Sequence, residues 1–473
     1  MYYDKRKVAG GRAARKIVVR DFSAGINGNK DEERLSPGEC VFSYNFELSG
    51  GTLKDAGGVK KADFGGKCPK FDTPGVTPER LFYYKKYNET TKAYDEFLMI
   101  YGDDGYVYKA AMTDDSFVKL HALYFDSAPT AVPYNYDGKD VLIFSCGANY
   151  RVYNGSTVTL VGDVPPITSA CIHSERLFAT EGGSKTSLWF SDDFNPLNWK
   201  VSLDDAGFID IREGIGSLVR VLSFGGYVYV FGLYGIVRVT AYGDQTEFSV
   251  DGIAASSGKI FEGSIAVCGD RIIYLAEDGF YSFSGGVPTR IMSKLDEKLS
   301  GIDNSDAKGV FFGGAYYCKM TMTTDCGALP VLLKYDIHRR TFVVMRGLNV
   351  KDFAVRGGES DSELLLLVKG KSYPGTLSGK GECFSVPLQK KWVSGKSDFG
   401  TTEIKRVTRL ALRTLTDVDV TVESERGSRL LHFSGSKERQ SQPIGLKGDL
   451  FTITVECRAA GASVSALEIE YEI

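Results

Sequence analysis

Short apolar runs, each followed by a glycine turn and an alternating strand, recur along the middle of this chain. In residues 271–286, RIIYLAEDGFYSFSGG, the run RIIYLA precedes an aromatic strand. Consecutive apolar positions are typical of a strand that is covered on both faces, and alternation is typical of its partner. The Asp-Gly between them suits a tight turn because glycine accepts positive φ. Each unit is therefore a predicted β-hairpin.

Seven copies of this unit follow one another. Their apolar runs open at Phe97, Val141, Arg176, Tyr227, Arg271, Ala315 and Leu364. A period near 45 residues with a strand, a turn and a strand in each unit predicts the blades of a β-propeller. One such sheet cannot cover its own aromatic face, so the units must stack around an axis. We predict an all-β propeller of about seven blades, and the uneven intervals leave six or eight open.

Changes in this pattern divide the chain into three predicted parts. Residues 1–75 form a glycine-rich N-terminal arm with little periodicity, and residues 76–395 hold the propeller hairpins. Residues 396–473 carry longer strands such as KRVTRLALRTL and ALEIEYEI, in which apolar and charged residues alternate. That alternation predicts an antiparallel β-sandwich with one solvated face. The best helix candidate is the short stretch 293–302, SKLDEKLSGI.

Composition excludes several classes of protein. The net charge of −3 argues against a protein that grips nucleic acid over most of its surface. No run approaches 18 apolar residues, so we expect no membrane span. The nine cysteines include no C-x-x-C pair, which argues against a disulfide framework or a zinc cluster and for reduced thiols in a protein that folds in a cytoplasm.

Catalytic signals are few. The four histidines, His121, His173, His338 and His432, are isolated along the chain, and the usual protease, hydrolase and nucleotide-binding motifs are missing. The acidic stretches GDDGYV, DGKD and AEDGF stand where the hairpins need turns and lack the spacing of a calcium loop. We therefore predict no catalytic residue, no cofactor site and no metal site, and a protein that is not an enzyme.

One segment, WFSDDFNPLNW at 189–199, resembles the Asp box of sialidases and related propeller glycosidases. Ser191, Asp193 and Trp199 take the corresponding positions, whereas Asn195 replaces a glycine and one residue is added before the tryptophan. In those families the box is a structural turn. We expect Trp189 to lie on a strand packed between blades, and Trp199 to close the turn over Asn195 and Pro196.

The stretch from 21 to 58, DFSAGINGNKDEERLSPGECVFSYNFELSGGTLKDAGG, resembles the opening of β-propeller virion proteins of tailed bacteriophages and prophages. The segment LWFSDDFNPLNW, the blade DGFYSFSGGVP and the late strand KRVTRLAL fit the same family. The matching positions of the opening are Phe22, Gly25, Ile26, Asn27, Leu35, Glu39, Asn45, Gly51, Leu53 and Gly57.

This resemblance implies a structural virion component: a tail nozzle, hub or connector that forms a homo-oligomeric ring. It implies contacts with neighbouring tail or connector proteins, passage of genomic DNA without sequence-specific binding, and location in the virion after assembly in the host cytoplasm. Two alternatives stay open. One is a glycan-binding or glycan-cleaving, sialidase-like propeller, and the other is a cellular propeller scaffold that binds a protein partner.

The first 20 residues are strongly basic. One acid, Asp4, faces seven basic residues: Lys5, Arg6, Lys7, Arg12, Arg15, Lys16 and Arg20. Blocks of like charge do not fold alone but order against a partner of opposite sign. We therefore expect the arm to dock onto a neighbour, and removal of residues 1–52 to leave the propeller folded.

The absence of a paired acid and base yields a first test. Purified protein should hydrolyse neither sialosides nor host polysaccharide above the rate of a matched purification blank. Turnover that persisted through repurification would contradict the prediction.

Overall fold

The computed structural model describes residues 14–183, 185–202, 206–357 and 362–473. Strands dominate throughout these ranges. Six short strands come first: β1 (Arg15–Val19), β2 (Gly25–Ile26), β3 (Glu39–Tyr44), β4 (Phe46–Glu47), β5 (Leu53–Asp55) and β6 (Gly58–Lys61).

Six antiparallel sheets of four strands then follow in chain order. Sheet 1 contains β7 (Pro78–Asn88), β8 (Ala93–Gly102), β9 (Tyr106–Ala111) and β10 (Val118–Tyr124). Sheet 2 contains β11 (Thr130–Tyr136), β12 (Lys139–Cys146), β13 (Asn149–Tyr153) and β14 (Val158–Val161). Sheet 3 contains β15 (Ile167–His173), β16 (Arg176–Glu181), β17 (Ser187–Phe190) and β18 (Gly207–Asp210).

Sheets 4 to 6 repeat the arrangement. Sheet 4 contains β19 (Leu218–Phe224), β20 (Tyr227–Gly232), β21 (Gly235–Thr240) and β22 (Ser249–Ala255). Sheet 5 contains β23 (Ala266–Val267), β24 (Ile272–Ala276), β25 (Gly279–Phe283) and β26 (Thr289–Ile291). Sheet 6 contains β27 (Lys308–Phe312), β28 (Ala315–Thr324), β29 (Gly327–Asp336) and β30 (Thr341–Arg346).

The remaining strands complete a seventh sheet and two C-terminal sheets. Sheet 7 uses β31 (Val350–Arg356), β32 (Glu363–Val368), β33 (Gly375–Ser378), β34 (Glu382–Cys383) and β35 (Val386–Pro387) together with β6. The last strands are β36 (Lys390–Ser394), β37 (Lys405–Thr414), β38 (Val418–Ser424), β39 (Gly427–Phe433), β40 (Ser436–Gly448), β41 (Phe451–Cys457) and β42 (Ser463–Glu472).

Helical structure is sparse in the described residues. A single α-helical turn, α1 (Asp296–Leu299), follows the 3₁₀ turn Ser293–Leu295 inside the predicted stretch 293–302. The other 3₁₀ turns are Glu32–Arg34, Gln245–Glu247 and Glu262–Ser264. The all-β prediction is confirmed, and the repeated four-stranded sheets make a β-propeller.

The seven apolar runs found in the sequence correspond to the second strands of the seven sheets. β12, β20 and β24, for example, each contain five consecutive buried positions. The cause is the stacking of sheets, because each neighbouring pair shares a buried apolar cluster. Sheets 1 and 2 share Met99 and Phe144, and the last and first sheets share Leu365 and Leu98.

Polar contacts reinforce the junction of sheet 7 with sheet 1. The buried Asp352 on β31 accepts a hydrogen bond from the Leu81 amide at 2.7 Å. Lys351 pairs with Glu79, and the Arg356 guanidinium donates two hydrogen bonds to the Glu96 carboxylate. A bidentate arginine pair fixes orientation as well as distance, so the two ends of the ring meet in one register.

An N-terminal strand supplies the fourth position of sheet 7. β6 pairs antiparallel with β33, from Gly58 opposite Ser378 to Lys61 opposite Gly375. The chain passes so close to β34 here that a Cβ on Gly58 would lie 2.0 Å from the Glu382 carbonyl oxygen. Only glycine fits at this position.

The other N-terminal strands lie in the two C-terminal sheets. One sheet has the order β4-β5-β42-β37-β40 with β1 on β42, and the other has the order β2-β3-β36-β41-β38-β39. Both contribute to one buried cluster that continues into sheets 5 and 6. In that cluster the Phe22 ring meets the edge of Trp392 at 5.2 Å.

Residues 15–61 therefore belong to the sheets rather than to an arm that docks elsewhere. Lys16 of the basic segment pairs with Glu468 at 2.6 Å, whereas Asp4, Lys5, Arg6, Lys7 and Arg12 lie outside the described residues. Deletion of residues 1–52 would remove β1 to β4 and expose their apolar partners. The C-terminal sheets would lose these strands, whereas the expectation that the propeller stays folded after this deletion remains a prediction.

Asn45 joins the C-terminal sheets to the propeller. It is buried and adopts a left-handed φ of 61°. Its side-chain amide donates to the carbonyl oxygens of Arg346 at 3.0 Å and Gln389 at 2.7 Å, and its Oδ1 accepts from the Arg346 amide at 2.9 Å. Asparagine tolerates left-handed φ better than other side chains do, so one residue provides both the turn and the hydrogen bonds.

Glu39, the first residue of β3, is the centre of a second group of polar contacts. Its carboxylate accepts from Asn27 Nδ2 at 2.8 Å and from the Ser36 amide at 3.1 Å. Lys30 and Lys294 approach it at 3.0 and 3.3 Å. Burial by itself raises the pKa of Glu39, but these donors outweigh burial and lower the pKa to about 2. The carboxylate is thus charged in the folded protein at neutral pH, and it ties β3 to the turn before α1.

The Asn45 contacts predict a large stability effect. Asn45→Ala should destabilise the fold by about 3–5 kcal/mol, because buried peptide groups lose their partners and alanine is strained at this φ. Asp163, exposed and also left-handed at φ 55°, is the matched control, and Asp163→Ala should cost only about 1 kcal/mol of backbone strain. Urea denaturation of the two variants measures both values, and equal losses would show that the hydrogen bonds contribute nothing.

Candidate functional site

The Asp-box-like segment forms a hydrogen-bonded turn after β17. Ser191 Oγ accepts from the Leu177 amide at 3.0 Å, and Asp193 pairs with Arg176 at 2.5 Å. The buried Trp199 donates its indole N–H to the Pro196 carbonyl at 3.1 Å. The expected closure of the turn by Trp199 is confirmed. All three residues hold the turn in shape.

Trp189 has a mixed environment. Its ring packs at the edge of the cluster between sheets 2 and 3, as expected from the sequence. It is only half-buried, however, and it lies 5.0 Å from the exposed Phe208 ring on the next strand of its own sheet. The indole N–H donates to Glu181 Oε2 at 2.9 Å. Trp189 is therefore a boundary residue, whereas Trp199 is the core residue of this segment.

The two edges of the sheets carry different connections. Because the strands are antiparallel, the first-to-second and third-to-fourth connections leave at one edge, which we call the turn face. Large hydrophobic side chains are exposed in or beside these connections: Tyr87, Tyr94, Phe194, Val201, Tyr242 and Val287. Tyr242 is 81% exposed, Val287 80% and Phe194 67%.

The opposite edge, which we call the mouth face, collects the second-to-third connections and those between sheets. In or beside the described connections of this face, Tyr124, Leu160 and Tyr234 are exposed at 41%, 65% and 46%. On the turn face, two neighbouring connections touch. Gln245 Nε2 donates to the Ser202 carbonyl at 2.9 Å, which joins the connections that carry Val201 and Tyr242. The hydrophobic side chains of sheets 3 and 4 thus share one surface.

Charged side chains meet in the central channel. Arg80, Arg220 and Lys308 come from the first strands of sheets 1, 4 and 6, and Lys308 pairs with Asp352 of sheet 7. Burial lowers the pKa of Arg220 and of Lys308. Asp352 opposes that effect on Lys308, and repulsion from the two arginines adds to it. Of these residues, Arg80 lines a cavity of about 700 Å³ on the mouth face. The charged side chains of its lining are four acids and four bases: Glu79, Asp103, Glu262, Asp306, Arg80, Lys319, Lys351 and Lys369.

The four histidines stay apart in the fold. His173 is buried and contacts Ser223 Oγ at 2.9 Å, and burial lowers its pKa. The exposed His432 pairs with Asp419 at 2.9 Å, and that hydrogen bond raises its pKa. Across the described ranges, no three His, Cys, Asp or Glu side chains converge as a metal ion would require. The part of the chain that the structure describes contains no helix long and apolar enough to cross a membrane.

Sequence reasoning did not find the channel cluster or the turn face. Arg80, Arg220 and Lys308 are more than 80 residues apart in sequence, and no motif marks them. Phe194 stands between Asp193 and Asn195 in the Asp-box-like segment, where an apolar residue between polar neighbours was the available signal, whereas Tyr242 between Ala241 and Gly243 offered none.

Comparison with known proteins returned structures only. No family model and no curated protein matches this chain. Two solved structures of BBS1N in complex with ARL6DN, soaked with lead and with mercury, are similar at TM-scores of 0.43 and 0.44 and identities of 10% and 9%. Each covers 68% of this chain, and the match covers 96% and 97% of the respective BBS1N chain. The major allergen Mala s 1 of Malassezia sympodialis is similar at a TM-score of 0.33 and 14% identity, over 52% of this chain and 91% of the allergen.

These comparisons correct the function expected from the N-terminal motif. The similar structures are BBS1N bound to ARL6DN and a fungal allergen, and none of them is described as a virion component. The prediction of a bacteriophage tail nozzle, hub or connector is wrong on this finding. The residues that suggested it, such as Glu39 and Asn45, serve the packing of the fold.

The different burial of the two tryptophans predicts different stability effects. Trp199→Ala should destabilise the protein by about 3–5 kcal/mol, the range for emptying a large aromatic site in a core. Trp189→Ala should cost clearly less, because part of its ring is already in water. Thermal melting of both variants makes the comparison, and a Trp189→Ala loss as large as that of Trp199→Ala would contradict it.

Proposed function

We propose that this chain is a seven-bladed β-propeller scaffold that binds a partner protein through its turn face. The blade count is supported by the seven sheets and by the apolar cluster that sheets 7 and 1 share. In this proposal the propeller extends from β6 to β35. Strands β1–β5 and β36–β42 form a β-sandwich, and β3 and β4 hold it against β30 of sheet 6.

The exposed hydrophobic side chains of the turn face carry this proposal. Single exposed apolar residues are ordinary, but a group of them on one surface marks an interaction site. Aromatic residues in particular are enriched where proteins meet, because they bury a large area at a small cost in side-chain entropy. Tyr242 and Phe194 offer such anchors on adjacent sheets, and a hydrogen bond joins the two connections that carry them.

The charges around these anchors indicate the chemistry of the partner. Asp193, Asp244 and Glu247 are exposed beside Phe194 and Tyr242, and Lys200 is the basic residue among them. Arg176 neutralises Asp193, whereas Asp244 holds its negative charge through the Thr246 amide at 2.8 Å, which lowers its pKa. The surface therefore suits a partner that presents apolar side chains flanked by basic ones. The proposal assigns binding, and no catalytic step, to this surface.

Photo-crosslinking tests the proposal with a control inside the same chain. A photoreactive phenylalanine analogue at position 242 should give a discrete crosslinked adduct in cells that express the protein. The same analogue at position 234, an exposed tyrosine of the mouth face, should not give that adduct. Phe194→Ser, introduced into the position-242 protein, should reduce the adduct at least fivefold without a change in melting temperature.

Two results would contradict the proposal. One is the same adduct at equal yield from positions 234 and 242, which would mean unspecific collision. The other is the lack of any discrete adduct at position 242 under conditions in which the protein is folded and abundant.

A further inference from the structure

The two C-terminal sheets line a cavity of about 240 Å³. β1 and β42 contribute walls from one sheet, and β36 and β41 contribute walls from the other. The wall side chains on these strands are apolar and buried: Ile17, Val19, Trp392, Phe451, Ile453 and Ile469. Protein interiors are close-packed and hold few voids larger than a water molecule, so a space of this size has room for an occupant.

The volume and the walls of this cavity define the body of that occupant. An apolar cavity of about 150 Å³ is large enough to hold benzene. One aromatic ring with a short chain therefore suits the larger space here. Phe399 and Phe451, which both line the cavity, are stacked with their ring centroids 5.1 Å apart. A further ring can pack against such rings in an offset or edge-on arrangement.

The mouth of the cavity carries a surplus of negative charge. Among the described residues, its charged lining consists of three acids and one base: Glu33, Glu39, Asp398 and Lys396. Four donors already engage Glu39, and Lys396 pairs with Glu32 at 3.2 Å. Glu33 and Asp398 are exposed and form no ion pair within the described ranges. The mouth therefore favours a positively charged group and repels a carboxylate or a phosphate.

Main-chain hydrogen bonds fix the two chain segments that form this mouth. The Lys396 amide donates to the Glu32 carbonyl at 3.0 Å. The Ser397 amide donates to the Phe451 carbonyl at 2.9 Å, and the Phe451 amide donates to the Ser397 carbonyl at 3.0 Å. Because the mouth is preformed in this way, binding requires little ordering of the chain.

We propose that this cavity binds a small arylalkylamine, in which a short chain joins an ammonium group to one aromatic ring. The ring lies between the two C-terminal sheets, and the ammonium group lies beside Glu33 and Asp398. Burial of the ring supplies the affinity, and the two acids select for positive charge. The site belongs to the C-terminal sheets and is independent of a protein partner on the turn face.

Equilibrium dialysis with radiolabelled 2-phenylethylamine tests the site in the full chain. The parent should bind about one molecule per chain in a saturable manner. Two competitors of similar size vary the charge: neutral 2-phenylethanol and anionic 3-phenylpropionate. We expect 2-phenylethanol to compete several-fold more weakly than the unlabelled amine, and 3-phenylpropionate at least tenfold more weakly. The ionic strength is held constant, because salt screens exposed charges.

E33Q and D398N separate charge from shape. Each should weaken binding of 2-phenylethylamine about two- to fivefold, which is the range for an exposed charge, and leave 2-phenylethanol binding unchanged. Asparagine at position 398 keeps the oxygen that accepts from the Gly400 amide at 2.8 Å, so the mouth should keep its shape. E89Q, which removes an exposed acid of the β7–β8 connection in sheet 1, is the matched control and should bind both compounds like the parent.

V19F tests the location, because the larger side chain would fill part of the cavity. It should abolish binding of 2-phenylethylamine and of 2-phenylethanol. If V19F does not fold, E33Q and D398N decide the matter. Lack of saturable binding by the parent would overturn the proposal, and so would equal competition by 3-phenylpropionate. Parent-like affinity in a folded V19F, or a loss in E89Q as large as in E33Q and D398N, would also overturn it.

Discussion

The pairing of β6 with β33 is the constraint on which the rest of the structure depends. It makes sheet 7 from both ends of the propeller region, so the ring closes through backbone hydrogen bonds as well as through side chains. The approach is close: a Cβ on Gly57 would lie 2.4 Å from the Ser378 carbonyl oxygen. Asp55, just before β6, accepts hydrogen bonds from the Gly381 and Gly461 amides at 3.0 and 2.7 Å. The same few residues thus fix the ring and the C-terminal sheets relative to each other.

The propeller was predictable because its strongest signal is local. A second strand buried on both faces must be apolar at consecutive positions, and β12, β20 and β24 show this in the sequence alone. The N-terminal strands gave no such signal, since β2, β4 and β6 are only two to four residues long, and β1, β5 and β6 pair with strands hundreds of residues away. The candidate sites were hidden for a related reason. Arg80, Arg220 and Lys308 stand on the first strands of three different sheets, and a turn sequence does not reveal which face of the ring it joins.

The N-terminal motif illustrates how a family resemblance can describe a fold without describing a function. Glu39 accepts hydrogen bonds at the start of β3, and Asn45 links β30 to the chain before β36. Leu53 is fully buried in the core that the C-terminal sheets share with sheets 5 and 6. These contacts hold the N-terminal strands in place against the propeller and the C-terminal sheets. Any protein that solves the same packing problem needs similar residues there, whatever it binds. The residues that distinguish this chain lie elsewhere, on the turn face and in the channel.

Because sheet 7 pairs an early strand with a late one, it can form only after the intervening residues have been synthesised. β6 leaves the ribosome long before β33, and at roughly 5–20 residues per second the interval is about 15–60 s. During that time the first strand of the ring has no partner of its own, and β1 and β5 wait still longer for β42. A nascent chain that stops before residue 463 can complete all seven sheets of the propeller region and yet leave β1 without its partner β42. β1 is then the part that a protease or chaperone meets first, and its accessibility reports whether β42 has been made.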